Sequence, residues 1–155
     1  MPVEIERKFL VQDDTWRDLV DSQVHIMQGY LAHSPGLTLR VRVKGDKAYL
    51  TIKGATTGLS RNEYEYLIPL ADAAEMLNHL AVLPPIDKVR HHVVVAGHVW
   101  EVDVFAGENA GLVMAEVELG AEDEAFVVPA WVGAEVSDDP RYLNVNLAQY
   151  PYRRW

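Results

Sequence analysis

The sequence contains no cysteine. That excludes disulfide scaffolds, thiolate zinc sites, iron–sulfur ligation and a cysteine nucleophile. No apolar run approaches the roughly 20 residues that a membrane-spanning helix needs. The N-terminal stretch carries Glu4, Glu6, Arg7 and Lys8, so it lacks both the apolar segment of a signal peptide and the composition of a transit peptide. No fixed-period repeat, Ser/Gly linker or shift in composition divides the chain. An excess of positive charge is also missing: 14 Lys and Arg stand against 23 Asp and Glu, for a formal charge of −9. Sequence-independent binding to a duplex phosphate backbone is disfavoured by that balance. The expectation is a cytoplasmic protein that engages neither nucleic acid nor membrane.

What is present is ordinary globular usage. The 155 residues are 49% hydrophobic and 24% charged, which fits one domain over 1–155 with a single core. Period-2 alternation marks eight strands, at about 2–11, 24–32, 37–44, 47–54, 60–69, 86–96, 98–105 and 112–120. Gly45-Asp46 and Gly97-His98 read as hairpin turns, and Gly54 to Ser60 as a longer connection. Helical patterns follow Asp13 or Asp14 (Trp16, Leu19, Val20) and Asp72 (Ala73, Met76, Leu77, Leu80). A weaker one starts near Glu122, with Phe126 and Trp131 as anchors. Another runs from Asp139 to Leu147 with Pro140 at its first position. Strands followed by helices, without repeated βαβ alternation, indicate an antiparallel α+β architecture.

The alternate positions of these strands are nearly all full charges. Glu4, Glu6 and Lys8 share one phase, and so do Arg40, Arg42 and Lys44. The same holds for Lys53 with Thr51, for Arg61, Glu63 and Glu65, and for Lys88 with Arg90. Glu101 with Asp103 and Glu116 with Glu118 complete the set. One reading is a sheet with its polar face in water. The other is a sheet closed into a barrel with the charged face inward and the apolar face covered by amphipathic helices, which also removes the sheet edges. Charges enclosed in such a barrel need partners of opposite sign. Oxygen-only acidic clusters suit a hard cation such as Mg²⁺ or Mn²⁺, and clustered Arg and Lys suit phosphate oxygens. A polyphosphate bridged by metal satisfies both, and metal-assisted phosphoryl transfer is the reaction class that follows.

The motifs also resemble a known family. Glu4-Ile-Glu6-Arg-Lys8 is similar to the ExExK signature of the CYTH superfamily, the triphosphate tunnel metalloenzymes. Gln28-Gly29-Tyr30, Leu39-Arg40-Val41-Arg42, Thr51-Ile52-Lys53, Arg61-Asn-Glu63-Tyr-Glu65, Lys88-Val-Arg90, Glu101-Val-Asp103-Val-Phe105 and Glu116-Val-Glu118 then follow in the family's order. The resemblance, to small bacterial-type inorganic triphosphatase-like members, implies an eight-stranded antiparallel tunnel with a charged interior and helices packed outside. It implies Glu4, Glu6, Glu116 and Glu118 as metal ligands, with Glu65, Glu101 and Asp103 as additional ones, and Mg²⁺ or Mn²⁺ as the metal. Lys8, Arg40, Arg42, Lys53, Arg61, Lys88 and Arg90 would bind the triphosphate. Lys8 and Tyr30 match a lysine–tyrosine pair associated with activating water. The stretch from Asp139 to Leu147, with Arg141 and Tyr142, resembles a helix near one tunnel mouth.

The implied activity is hydrolysis of inorganic triphosphate to pyrophosphate and phosphate. Thiamine or nucleoside triphosphatase, class IV adenylyl cyclase and a non-catalytic polyphosphate-binding module are the alternatives. Other features carry less. His91-His92 lies on a strand, where neighbours point to opposite faces. Gly54 to Ser60 lacks a Walker-type ending. Trp155, after Arg153-Arg154, reads as a frayed tail or a homodimer contact.

Overall fold

The computed structural model describes residues 3–155. Eight long strands form where alternation predicts them: β1 (Val3–Val11), β2 (Ser22–Ser34), β3 (Leu37–Lys44), β4 (Lys47–Gly54), β5 (Ser60–Ile68), β6 (Ile86–Val95), β7 (His98–Phe105) and β8 (Val113–Glu118). They pair antiparallel in the order β5-β4-β3-β2-β6-β7-β8-β1. The pairing of Val3, Glu4 and Ile5 with Asn62, Arg61 and Ser60 then joins β1 back to β5, so the sheet closes. A short ninth strand, β9 (Val132–Glu135), lies against β1 beyond its contact with β5. It replaces the helix expected from Glu122, and among the described residues 121–131 no helix forms. Gly120 and Pro129 limit helical propagation there. Glu124 instead accepts the Gly120 amide and contacts the His98 ring, while Phe126 and Trp131 pack against Trp100.

Two turns explain the tight register of the hairpins. Gly45 has φ 62, and Ala96-Gly97 has φ 49 and 85, both in the left-handed region that matches the twist of paired strands. The turn between β6 and β7 therefore sits one residue earlier than Gly97-His98.

The outer face of the barrel is apolar. Helix α1 (Leu70–His79) lies over β3 and β4, where Ala73 meets Val41 and Ala48. It begins after Pro69 rather than at Asp72, whose charge falls in the first turn and favours the helix dipole there. A 3-10 turn at Thr15–Leu19 buries Trp16 against β6, β7 and β8, together with Phe9, Trp100 and Val117. Asp13 accepts the Thr15 amide at its start.

The C-terminal segment behaves differently. Asp139 caps the Arg141 amide, Pro140 opens a 3-10 turn at Pro140–Tyr142, and α2 (Asn144–Gln149) follows. Tyr142, Val145 and Leu147 cluster with Tyr30, Ile86, Phe105 and Met114. These four strand residues share the phase of the charged positions, with Ile86 opposite Gln28 and Phe105 opposite Lys88. Unlike α1, α2 thus plugs one end of the barrel interior. Trp155 is not frayed: it stacks edgewise on Tyr142 and Tyr152, and its indole N–H donates to the Tyr150 carbonyl.

Candidate active site

Strand alternation puts the charged phase inward, and it lines a cavity of about 230 Å³. Around the barrel the acids and bases separate into two walls. Glu101 on β7, Glu116 and Glu118 on β8, and Glu4 and Glu6 on β1 form three adjacent acidic strands. Lys53 on β4 and Arg40, Arg42 and Lys44 on β3 face them, while Arg90 on β6 borders the acidic wall, with Nη1 3.0 Å from Glu101 and Nη2 3.7 Å from Glu116. β5 contributes both signs, with Arg61, Glu63 and Glu65 lining the same space.

Like charges stand side by side on the acidic wall. Glu6 is directly opposite Glu118, and Glu101 opposite Glu116, an unfavourable arrangement unless a cation lies between. Burial, then Glu6, raises the Glu116 pKa above its usual value; burial, then Glu4 and Glu101, does so for Glu118. Lys8 bridges the wall, 3.7 Å from Glu6 and 3.8 Å from Glu116. Burial works against its charge, but Glu116, Glu6 and Glu4 prevail and hold its pKa above the usual lysine value. Glu4 is taken up by Lys53, whose Nζ donates to it at 2.9 Å.

The basic wall is crowded with its own sign. Burial, followed by Arg40 and Arg90, pushes the Arg42 pKa down to about 9. Its Nε donates to Gln28 Oε1 at 2.8 Å, and the Gln28 amide donates onward to the Tyr30 hydroxyl oxygen at 3.0 Å. Arg40 reaches Thr51 at 3.3 Å. The Nε atoms of Arg40 and Arg61 are buried with no protein partner. Buried donors of this kind are costly unless an acceptor meets them, and clustered guanidinium groups suit anionic oxygens.

Below the cavity, toward α2, lies a denser layer. Arg90 Nε and Nη2 clasp Asp103 at 2.8 and 2.9 Å, and Lys88 Nζ donates to the same carboxylate at 2.7 Å. Lys88 also donates to Asn144 Oδ1 at 3.1 Å. Burial alone would raise Asp103, yet Arg90 and Lys88 hold it well below the ordinary carboxylate range.

An ordered ExExK set inside a closed, charge-lined tunnel agrees with the family match: the CYTH domain matches residues 2–149. The chain belongs to the CYTH family. It is 48% identical over all 155 residues to an inorganic triphosphatase of Acetivibrio thermocellus, covering 99% of that protein. It is 40% identical over 149 residues to an inorganic triphosphatase of Nitrosomonas europaea, covering 94% of this chain and 96% of the relative. A crystal structure of an inorganic triphosphatase superposes with a TM-score of 0.67 at 36% identity, over 96% of this chain and 95% of the other.

Within this CYTH domain most residues singled out from sequence meet in one lumen: Glu4, Glu6, Lys8, Tyr30, Arg40, Arg42, Lys53, Arg61, Glu65, Arg90, Glu101, Glu116 and Glu118 all line it. Lys88 and Asp103 do not; both are fully enclosed in the layer beneath. Arg141 points away from the lumen, bound to Asp139 and stacked over Trp155. Gln28, Thr38, Lys44, Glu63 and Asn144 are participants that sequence reasoning left without a role. Gln28, Lys44 and Glu63 share the charged phase, so alternation was the available signal for them; nothing local to Asn144 pointed to Lys88.

The acidic wall of the CYTH domain suits a hard divalent cation: its donors are all oxygens, and like-charged pairs await neutralisation. Among the described residues no three carboxylates or imidazoles converge into a ready-made cage. Mg²⁺ does not require one, since it keeps several waters and takes one or two carboxylates plus substrate phosphates.

Proposed function

We propose that this protein is a metal-dependent triphosphatase that hydrolyses inorganic triphosphate to pyrophosphate and phosphate inside the barrel. The observation that carries this reading is the facing of an acidic and a basic wall across one closed lumen. The full-length likeness to proteins named inorganic triphosphatases supports it. A lumen of about 230 Å³ lies below the roughly 300–1,000 Å³ typical of sites for drug-sized organic ligands. That favours a bare phosphate chain over one carrying thiamine or a nucleoside.

In this reading Arg40, Arg42, Lys53, Arg61 and Arg90 hold the phosphate oxygens and spread the developing negative charge. Glu116 and Glu118, with Glu4, Glu6 and Glu101, would hold Mg²⁺ or Mn²⁺. A divalent cation bound there neutralises phosphate oxygens and acidifies coordinated water. Lys8, bridging Glu6 and Glu116 at 3.7 and 3.8 Å, is placed to donate to a phosphate oxygen. Tyr30 accepts from Gln28, which leaves its own O–H free to donate into the lumen. Water attacks the terminal phosphorus, the bridging P–O bond breaks and pyrophosphate departs, with the proton lost by the water passing to a phosphate oxygen or to solvent. The charge of −9 disfavours nucleic acid as a partner, and in this reading the CYTH domain works in the cytoplasm.

The test is phosphate release from a panel of substrates under each divalent ion. Triphosphate with Mg²⁺ or Mn²⁺ is expected to be cleaved much faster than pyrophosphate, ATP or thiamine triphosphate, and a chelator to abolish turnover. Formation of cyclic AMP from ATP, or inactivity on every triphosphate, would overturn the assignment.

A further inference from the structure

Lys88 and Asp103 are the ion pair among the described residues in which neither side chain retains any solvent exposure. A buried pair of this kind is weak evidence for stability, because an apolar pair of the same volume often does as well. Its geometry shows what else it does. Asp103 accepts three charge-assisted hydrogen bonds, two from Arg90 and one from Lys88, and a carboxylate has about four lone-pair sites. Little capacity is left for a cation. Lys88 gives two of its three donors to Asp103 and Asn144, and its Nζ lies 5.4 Å from the Phe105 ring centre. It has no face toward the lumen. Arg90, by contrast, lines the lumen: Asp103 holds its Nε and Nη2 from behind, while Nη1 lies 3.0 Å from Glu101 on the lumen side, and Asn144 belongs to the plug.

We propose that Lys88 and Asp103 are positioning residues: with Asn144 they form a latch at the tunnel floor that aims Arg90 at the phosphate chain and fastens α2 in the barrel end. Neither touches metal or phosphate. The two motifs Lys88-Val-Arg90 and Glu101-Val-Asp103 then each divide their labour, one residue facing the ligand and the other bracing it. This inference rests on the triphosphatase reading of the same lumen.

The test compares Asp103→Asn, Asn144→Ala and Glu116→Gln by three measurements. These are Mn²⁺ affinity of the substrate-free protein by electron paramagnetic resonance, kcat and KM for triphosphate, and amide hydrogen exchange over residues 144–149. Glu116→Gln is expected to weaken Mn²⁺ binding about tenfold or more. Asp103→Asn should leave Mn²⁺ affinity within about twofold and raise KM about tenfold, the scale of one lost hydrogen bond to a charged group, with a smaller change in kcat. Asn144→Ala should speed exchange in α2 and leave Mn²⁺ affinity unchanged. If Asp103→Asn does not fold, the pair Asp103→Asn with Lys88→Met, which removes both charges together, carries the same expectations. A loss of Mn²⁺ affinity at Asp103 equal to that at Glu116, or unchanged exchange in Asn144→Ala, would overturn the latch. Inactivity of the unsubstituted protein on triphosphate would overturn the functional reading instead, and the metal and exchange measurements would still decide the latch.

Discussion

Gln28 illustrates how much a neutral residue can do inside a charged barrel. Fully buried, it takes the Arg42 Nε–H on its carbonyl and gives an amide N–H to Tyr30, so the amide orientation is fixed by its partners. Gln28→Leu keeps the volume and removes both bonds, leaving Arg42 with an unmet buried donor. The expected cost is about 1–3 kcal/mol in urea unfolding, with KM for triphosphate rising as Arg42 loses its aim. Asp103 supplies a pH dependence. Its pKa is 3.8 in an ordinary setting and is held below that in the fold by Arg90 and Lys88, against burial. The folded state therefore binds fewer protons than the unfolded one below pH about 4. Stability from this group is present above that pH and is lost as pH falls through the folded value. Asp103→Asn should lower stability at pH 7 by about 3–5 kcal/mol, the cost of removing one partner from a buried pair, and should flatten the fall between pH 5 and pH 3. Urea midpoints at both pH values read the difference, and an acid limb as steep as the parent's would contradict it. The charged phase was legible in the sequence because a strand has period two. Which charges in that phase meet the lumen was not, because α2, more than 40 positions along the chain from Asp103, encloses Lys88 and Asp103 beneath it.

At the scale of elements, the eight long strands were legible to within two residues at each end, since alternation and hairpin glycines are local signals. The segment between β8 and β9 was not. Its helical pattern is broken by Pro129, between the anchors Phe126 and Trp131, and aromatic packing decides it. Phe126 packs edgewise on Phe9 with centroids 6.3 Å apart, and Trp131 on Trp100 at 5.9 Å. Trp131→Ala is expected to destabilise the protein by about 3–5 kcal/mol. Because that cluster lies on the outer face, Mn²⁺ affinity and KM should stay close to the parent values in the folded fraction. A tenfold change in either would mean that the strap reaches the lumen. One helix from Asp139 to Leu147 near a tunnel mouth was expected; the segment instead divides into a 3-10 turn at Pro140–Tyr142 and α2, and the six residues of α2 give no sequence signal that it enters the barrel end as a plug. Tyr30, Ile86, Phe105 and Met114 make its seat; from sequence Tyr30 was paired with Lys8, and none of the four was placed against this helix.

For the whole molecule, the walls repel themselves when the lumen holds no ligand. Glu116 and Glu118 are raised by their neighbours after burial, and Arg42 is lowered by Arg40 and Arg90 after burial. Both strains are relieved at once by a cation on one side and a polyanion on the other. Triphosphate with a divalent ion that does not support turnover should therefore raise Tm more than either alone. Binding at 100 times Kd contributes about 2.7 kcal/mol, which corresponds to roughly 5–10 °C for a chain of this size. Equal shifts from the metal alone, or from an equivalent concentration of chloride salt, would argue against joint neutralisation. The most direct measurement of the central claim is diffraction from crystals grown with triphosphate and Mn²⁺, collected at the manganese edge. The account expects the phosphate chain inside the barrel against Arg40, Arg42 and Arg61, and an anomalous peak on the side of Glu116 and Glu118. A phosphate chain bound only on the outer surface, or manganese seated at Asp103, would contradict it.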